Sequence, residues 1–223
     1  AWTLSCLTLK ENHEDVILYT DSKGYEVFHK QLQLPYKKIV LQYDNLVCNK
    51  ELWAYPKLLT YSIQDKPFIH VDGDVFLPNG LSEEVQTGEL IAQNIETGTG
   101  YYKAMANQIL RQPILMPDFW LRELEKDSIS SYNAGILGGH DLEFIKEYCD
   151  TAFEFITVNK LSDINNKEVN VNYNIVFEQI LFYCLANRNN KTVATVLDHP
   201  VNDNGYTYAD FCDFNSFHKT KLM

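Results

Sequence analysis

The sequence predicts an α/β fold, a mostly parallel twisted sheet flanked by helices, in one domain spanning residues 1–223. Three observations carry this expectation. Short β-branched and aromatic runs alternate with longer stretches whose apolar residues recur at helical spacing, which is the pattern of a sheet covered by helices. Polar residues fall at or just past the ends of several of those runs, where open α/β sheets bind their ligands. The 223 residues, 45% hydrophobic and 22% charged, suffice for one substantial core.

Taken in order, AWTLSCLTLK (1–10) reads as a helix with Trp2, Cys6 and Leu9 on one side. VILYT (16–20) is a strand stopped by the turn composition DSKG, and KKIVLQY (37–43) is a second strand. ELWAYPKLLTYSIQ (51–64) places Leu52, Tyr55, Leu58, Leu59 and Ser62 at helical spacing, and Pro56 marks either a kink or the first turn. PFIHV (67–71) is a strand that runs into two aspartates and then the turn PNG at 78–80. ELIAQNI (89–95) reads as a strand, YYKAMANQILRQ (101–112) as a helix and NAGILGG (133–139) as a strand carrying glycines. HDLEFIKEYCDTAFEFITV (140–158) is a long amphipathic helix with Leu142, Ile145, Tyr148, Cys149, Ala152 and Phe153 on its apolar side. LSDINNKE (161–168) is a loop, VNYNIVFEQILFYCLANR (171–188) a helix and TVATVL (192–197) a late strand.

The net charge of −11 leaves no basic footprint for nucleic acid or for an anionic membrane surface. A nucleotide stays open, because a metal ion and one or two local cations can hold a diphosphate inside an acidic protein. No apolar stretch approaches the length of a bilayer span, and none reads as a secretory signal. Cys6, Cys48, Cys149, Cys184 and Cys212 are odd in number, spread out and mostly set in apolar context. They read as reduced, buried thiols of a cytoplasmic protein. The sequence does not start with Met, and the expectation is that the natural chain begins earlier.

The stretch FIHVDGDVFL (68–77) brings Asp72 and Asp74 to the end of an apolar run. Where a strand breaks into a turn, two such carboxylates can both face one cation, and Gly73 between them allows unusual dihedrals and leaves room for a ligand. Oxygen-only ligands favour Mg2+ or Mn2+, ions that complete their shell with substrate phosphates. The plain alternative is a polar turn in which Asp72 caps local amides. A haloacid dehalogenase motif would want Thr two residues after its second Asp, and a calcium hand a further acidic ladder; Val75 and Phe76 follow here instead. Asp21, Asp72, Asp74 and Asn94 all fall at predicted strand ends and could converge. Glu178 and Gln179 sit among Phe177, Ile180, Leu181 and Phe182, so they form a buried polar pair in need of partners. His70, alternating with apolar residues, reads as a satisfied core or interface histidine. ETGTGYY lacks the third glycine of a dinucleotide fingerprint and reads as a flexible loop.

In order and spacing, ILYTDSKG, ELWAYPKLLTYS, FIHVDGDVFL, SYNAGILGG, FEQILF and, weakly, SFHKTK resemble the GT-A class of nucleotide-sugar glycosyltransferases. Within it they resemble glycosyltransferase family 8 and a related group of uncharacterised bacterial proteins. The resemblance covers most of the chain. It implies a GT-A-like sheet and transfer of a hexose from a UDP-sugar donor to a glycan, lipid or protein acceptor, with retention of configuration. It implies that Asp72 and Asp74 bind Mn2+ (or Mg2+) on the donor diphosphate, Asp74 being the surer ligand and His218 joining them, with His199 its competitor. Lys57 matches a cation that holds the donor, or else is a solvated helix lysine. Thr20 and Asp21 close the strand where a base or ribose sits, or start a turn through the Asp side chain. Asn133 resembles a residue facing the sugar or acceptor. Asn94 stands where the family often has an acidic sugar contact, and an amide there hydrogen-bonds hydroxyls without acting as a base. Glu178 and Gln179 match the polar pair beside the transferred sugar and, with Asn133, are the candidates to stabilise an oxocarbenium-like transition state.

The sequence departs from that pattern twice. The family tail His-x-x-Gly-x-x-Lys is replaced by His218-Lys-Thr-Lys221-Leu-Met. The first strand of a GT-A sheet is not visible before AWTLSC. Both departures leave a second reading, a catalytically silent GT-A-like protein that binds a glycan or partner, and a third, hydrolysis of nucleotide sugars by water.

Overall fold

The computed structural model describes residues 1–163 and 171–197, together with the backbone of residues 217–218. Helix α1 (Trp2–Asn12) leads into strand β1 (Ile17–Thr20), which pairs in parallel with β2 (Lys38–Leu41) to make a small sheet of its own. Between them run the short α2 (Ser22–Tyr25) and a π-helical segment, Glu26–Gln31. Helix α3 (Tyr55–Ser62) takes Pro56 in its first turn, where the missing N–H costs no helical bond, so the proline starts the helix rather than kinking it.

The main sheet has four strands in the order β3 (Phe68–Val71), β8 (Ile136–Gly139), β5 (Leu90–Ala92) and β9 (Val193–Thr195). Here the expectation of a mostly parallel sheet is corrected. Strand β8 runs antiparallel to both β3 and β5, and only the β5–β9 pair in this sheet is parallel. The reason lies in the return path. The run 89–95 is not one strand but two, β5 and then β6 (Ile95–Thr97), and β6 pairs antiparallel with β7 (Ser130–Tyr132), so the chain enters β8 heading back along β5. Glycines make the central position possible. A Cβ on Gly138 would lie 2.1 Å from the Phe68 carbonyl oxygen, and one on Gly139, which has φ 138°, would lie 2.2 Å from the Glu89 carbonyl oxygen. The α/β class holds.

Alternation along the strands divides the core into two clusters, one on each face. Leu137 and Leu90 join a large cluster with Leu58, Tyr61, Tyr148, Phe177 and Phe182 from α3, α7 (Leu142–Val158) and the C-terminal helical segments. Ile136 and Ile91 face the other way, toward Val75, Leu77 and Val85. On β3, Phe68 packs with the first cluster and Ile69 and Val71 with the second, so residue parity points position 70, and by extension 72, at the face covered by α3 and α7.

The remaining described elements close this frame. Strand β4 (Val75–Phe76) pairs antiparallel with β10 (Phe217–His218), α4 (Glu83–Gln86) precedes β5, and α5 (Gly100–Ile109) and α6 (Asp118–Glu125) lie between β6 and β7. The last helical stretch runs without interruption through α8 (Tyr173–Ile175), a π-helical turn at Val176–Ile180, and α9 (Leu181–Arg188). Helix α1 caps β4 by side-chain hydrogen bonds. Thr8 Oγ1 accepts from the Leu77 amide at 3.2 Å, and Ser5 Oγ donates to the Asp72 carbonyl at 3.3 Å. No described helix is long and apolar enough to cross a membrane.

Candidate functional site

Asp72 follows directly from the end of β3, where its amide still bonds the Gly135 carbonyl at 2.8 Å and its carbonyl turns the chain by accepting from Val75 N at 3.0 Å. Strand parity sends its side chain toward α3, and there it meets Lys57. The lysine Nζ lies 3.0 Å from Asp72 Oδ1 and 3.3 Å from Oδ2, 2.6 Å from Glu178 Oε1, and 3.2 Å from the Ala134 carbonyl oxygen. One cation thus joins a helix, a strand end, the turn before β8 and the π-helical turn of the C-terminal helix. This answers why a carboxylate ends a buried strand: Lys57 neutralises it. The lysine is not on a solvated helix face.

Burial sets the electrostatics. Glu178 is fully buried, and burial together with the Asp72 charge pushes its carboxyl up to about 7, even though Lys57 pulls the other way. For Asp72, burial acts to raise the carboxyl, but Lys57 and the His70 hydrogen bond win and hold it well below the usual carboxylate range. Lys57 resolves in the same sense. Burial would lower it, and the attraction of Asp72 and Glu178 outweighs that and raises it. His70 Nε2 stands 2.8 Å from Asp72 Oδ1, its ring edge-on to Tyr61 at 5.1 Å, and burial lowers its pKa, so it is the neutral, satisfied histidine its alternation predicted. Glu178 Oε1 meets Lys57 off the ideal hydrogen-bond direction, and among the described residues Oε2 has no well-directed hydrogen-bond partner, the Gln179 side chain being its polar neighbour. That carboxylate sits in a π-helical turn, a distortion that often marks functional positions.

A second polar group adjoins the first. Asn133 Nδ2 donates to Glu96 Oε1 at 2.9 Å while its Oδ1 accepts from Gly135 N at 2.9 Å. The Tyr102 hydroxyl contacts Glu96 Oε2 and lies 2.7 Å from Gln179 Oε1. Burial, and then Glu96, raise the Tyr102 phenol far above its ordinary range, so it stays a hydrogen-bond donor. Glu178 and Gln179, neighbours in sequence, belong one to each group, and Ala134, next to Asn133, links them through Lys57.

The structure therefore brings Lys57, Asp72, Asn133, Glu178 and Gln179 together. The other expected residues lie elsewhere or nearby. Asp21 caps α2, its Oδ1 accepting from Gly24 N at 2.7 Å, and Thr20 ends β1 with its carbonyl accepting from Gln42 N at 2.9 Å, so both have the local turn-starting role. Phe28, in the π-helical segment that follows α2, stacks on Trp2 at 4.9 Å. Asn94 is fully buried and its Nδ2 donates to the adjacent Ile95 carbonyl at 3.3 Å; the carboxylate in that neighbourhood comes from Glu96, two residues on. Glu96 and Tyr102 were missed because 89–95 reads as one strand and ETGTGYY as a loop. The Asn94 break between β5 and β6 is what turns Glu96 toward Asn133. Asp74 is partly buried at the start of β4, and the backbone of His218 pairs opposite Val75, one residue along from it. His199 and the side chain of His218 lie outside the described residues.

As a metal site, the donor chemistry is right in kind, carboxylates without thiols. Asp72 is a poor ligand, its two oxygens both lying within 3.3 Å of an ammonium. Among the described residues no three His, Cys, Asp or Glu side chains gather around a common point. Helix α1 also covers this turn. A Cβ on Gly73 would sit 2.4 Å from the Trp2 ring, so glycine is what lets the indole rest on the Asp-Gly-Asp backbone.

A family model described as a family of unknown function (DUF6734) matches residues 1–223. No curated protein and no solved structure matches the chain.

Proposed function

We propose that this chain, which belongs to that family of unknown function, transfers a sugar from a nucleotide donor, a UDP-sugar, to an acceptor hydroxyl. The observation that carries the reading is the convergence of Lys57, Asp72, Asn133, Glu178 and Gln179 from four separate elements into one connected cluster beyond the end of β3. A merely structural ion pair would not require a fully buried carboxylate in a distorted helical turn, beside a second carboxylate whose described partners are neutral donors.

In this reading Lys57 is a positioning residue. Its ammonium hydrogens go to protein acceptors, so it fixes Asp72 and Glu178 rather than gripping the diphosphate itself. Gln179, Asn133 and Glu96 supply oxygens and amides to the sugar as positive charge grows at its anomeric carbon, while the fully buried Glu178, held by Lys57, sets the turn that carries Gln179. The bond from that carbon to the diphosphate oxygen breaks, the bond to the acceptor oxygen forms, and the acceptor proton leaves with the diphosphate. Asp74, with His218 beside it in backbone register, would hold Mn2+ or Mg2+, which when bound supplies positive charge to the departing diphosphate.

A second reading has its own observation. The Trp2 ring resting on Gly73 closes over the turn that would face the metal, as in a protein that keeps the fold without the chemistry. The experiment is to incubate the protein with a panel of UDP-sugars, with Mn2+ and with a chelator, and follow UDP release by chromatography. Metal-dependent release above background, lost in Glu178→Gln, supports transfer. Release unchanged by Glu178→Gln, or none with any donor, contradicts it.

A further inference from the structure

We infer that the rim carrying Trp53 and Tyr101 is an acceptor subsite for a neutral carbohydrate chain; this names the acceptor class and rests on the reading above. Trp53 is 47% exposed and Tyr101 46% exposed, and each is one step from the polar cluster. The Lys57 ammonium lies 5.7 Å from the centre of the Trp53 ring, and Tyr101 precedes Tyr102, whose hydroxyl reaches Glu96 and Gln179.

Neither aromatic sits on a loose loop. Trp53 lies in a tight turn where Glu51 N donates to Asn49 Oδ1 at 3.0 Å and Leu52 N to the Asn49 carbonyl at 2.9 Å. Asn174, buried, clamps that turn from both sides, accepting from Ala54 N at 3.0 Å and donating to the Glu51 carbonyl at 2.7 Å. Its Nδ2 also bonds Asn172 Oδ1 at 2.9 Å, and Asn172 Nδ2 donates to the Tyr101 hydroxyl at 3.1 Å. A pair of amides, Asn174 and Asn172, therefore links the Trp53 turn to the Tyr101 hydroxyl, and Asn174 lies on α8, the helical segment that continues into the turn carrying Glu178 and Gln179.

This arrangement matches a sugar better than other acceptors. A pyranose has an apolar C–H face and an edge of hydroxyls, and the rim offers two half-exposed flat rings, one with a phenol hydroxyl held by the Asn172 amide. An anionic polymer is opposed by the net charge of −11. An acyl chain would want a contiguous apolar patch, whereas here each ring is bordered by Asn172, Asn174 or Lys57.

The test applies the full chain to an array of defined neutral oligosaccharides and to phosphatidylcholine vesicles, and in parallel measures UDP affinity by calorimetry. The expected result is saturable oligosaccharide binding that Trp53→Ala weakens about tenfold and Tyr101→Ala by a smaller factor, with UDP affinity unchanged within about twofold. Because both side chains are half exposed, the variants should fold, which circular dichroism checks. UDP binding with a silent array, or with array binding indifferent to both substitutions, overturns the subsite and leaves the donor reading standing. Oligosaccharide binding through Trp53 without any UDP binding upholds the subsite and overturns the donor reading. Vesicle binding that depends on Trp53, with the array silent, overturns it in favour of a lipid acceptor.

Discussion

The two polar groups that meet at Glu178 and Gln179 are built on opposite electrostatic plans. In the first, a lysine sits between two carboxylates, Asp72 and Glu178, and every member is shifted from its ordinary range by burial and by its partners. In the second, Glu96 is met by an amide and a phenol, with no cation among its described partners. A charge-compensated cluster is rigid, and removing one member leaves a buried charge without a partner. A carboxylate held by neutral donors keeps its charge available for a ligand hydroxyl or a developing cation. On the proposed function, the difference separates the part that positions from the part that touches.

Substitutions that break this contrast should fall in a definite order of effect on stability. Lys57→Met should be the most damaging, costing roughly 3–5 kcal/mol in denaturant unfolding because the fully buried Glu178 and the partly buried Asp72 lose their counter-charge. Adding Asp72→Asn and Glu178→Gln to it should recover much of the loss. A small cost for Lys57→Met alone would mean that the carboxylates are solvated and the cluster is not what it looks to be.

The next effect is one of pH. Glu178 is pushed up to about 7 from an ordinary 4.5, so between those values the folded protein holds a proton that the unfolded chain releases. Stability should therefore fall as pH rises through that window and level off above it, by an amount on the order of a few kcal/mol at most. The same titration of Glu178→Gln should lack this slope, and parallel curves for the two proteins would refute the assignment. Asp72 works in the other direction. Its carboxyl is held low, so its contribution is present above the unfolded carboxylate range and is lost as pH falls through the folded value.

Smaller still is Glu96→Gln, which keeps one acceptor oxygen for its partners and should cost only about 1 kcal/mol. Its effect on UDP release should nevertheless be large, and a Glu96→Gln protein that releases UDP like its parent would take Glu96 out of the site. Asp74→Asn, at a partly buried position that keeps its size and shape, should leave the fold intact while abolishing the part of UDP binding that needs metal.

Much of the frame was legible in the sequence because it depends on local pattern. The strands β1, β2, β3, β8 and β9 and the helices α3 and α7 fall inside the runs that periodicity marked out, and α5 starts one residue before its run. Asp72 was legible for the same reason, as a charge at the end of an apolar strand. What periodicity cannot show is how distant runs pair. The antiparallel course of β8 follows from the β6–β7 pairing, which only tertiary contacts fix. Helix α6 was missed because its eight residues are only about two turns, and Trp120 and Leu121, each at helical spacing to Leu124, are too few to mark a period. Within the site, Glu178 and Gln179 stood out as polar residues in an apolar helix. Lys57 looked equally like any exposed helix lysine until Asp72 and Glu178 were placed around it. Glu96 gave no signal, since nothing in ELIAQNIE announces the break at Asn94.

The most direct test of the account is a calorimetric titration of UDP into the protein, once with Mn2+ and once with a chelator, repeated on Asp74→Asn. The account predicts saturable binding that needs the metal and disappears in the variant, with the variant's fold intact. Binding that is the same in Mn2+ and in chelator, or the same in parent and variant, would contradict a metal-assisted donor site at the Asp-Gly-Asp turn.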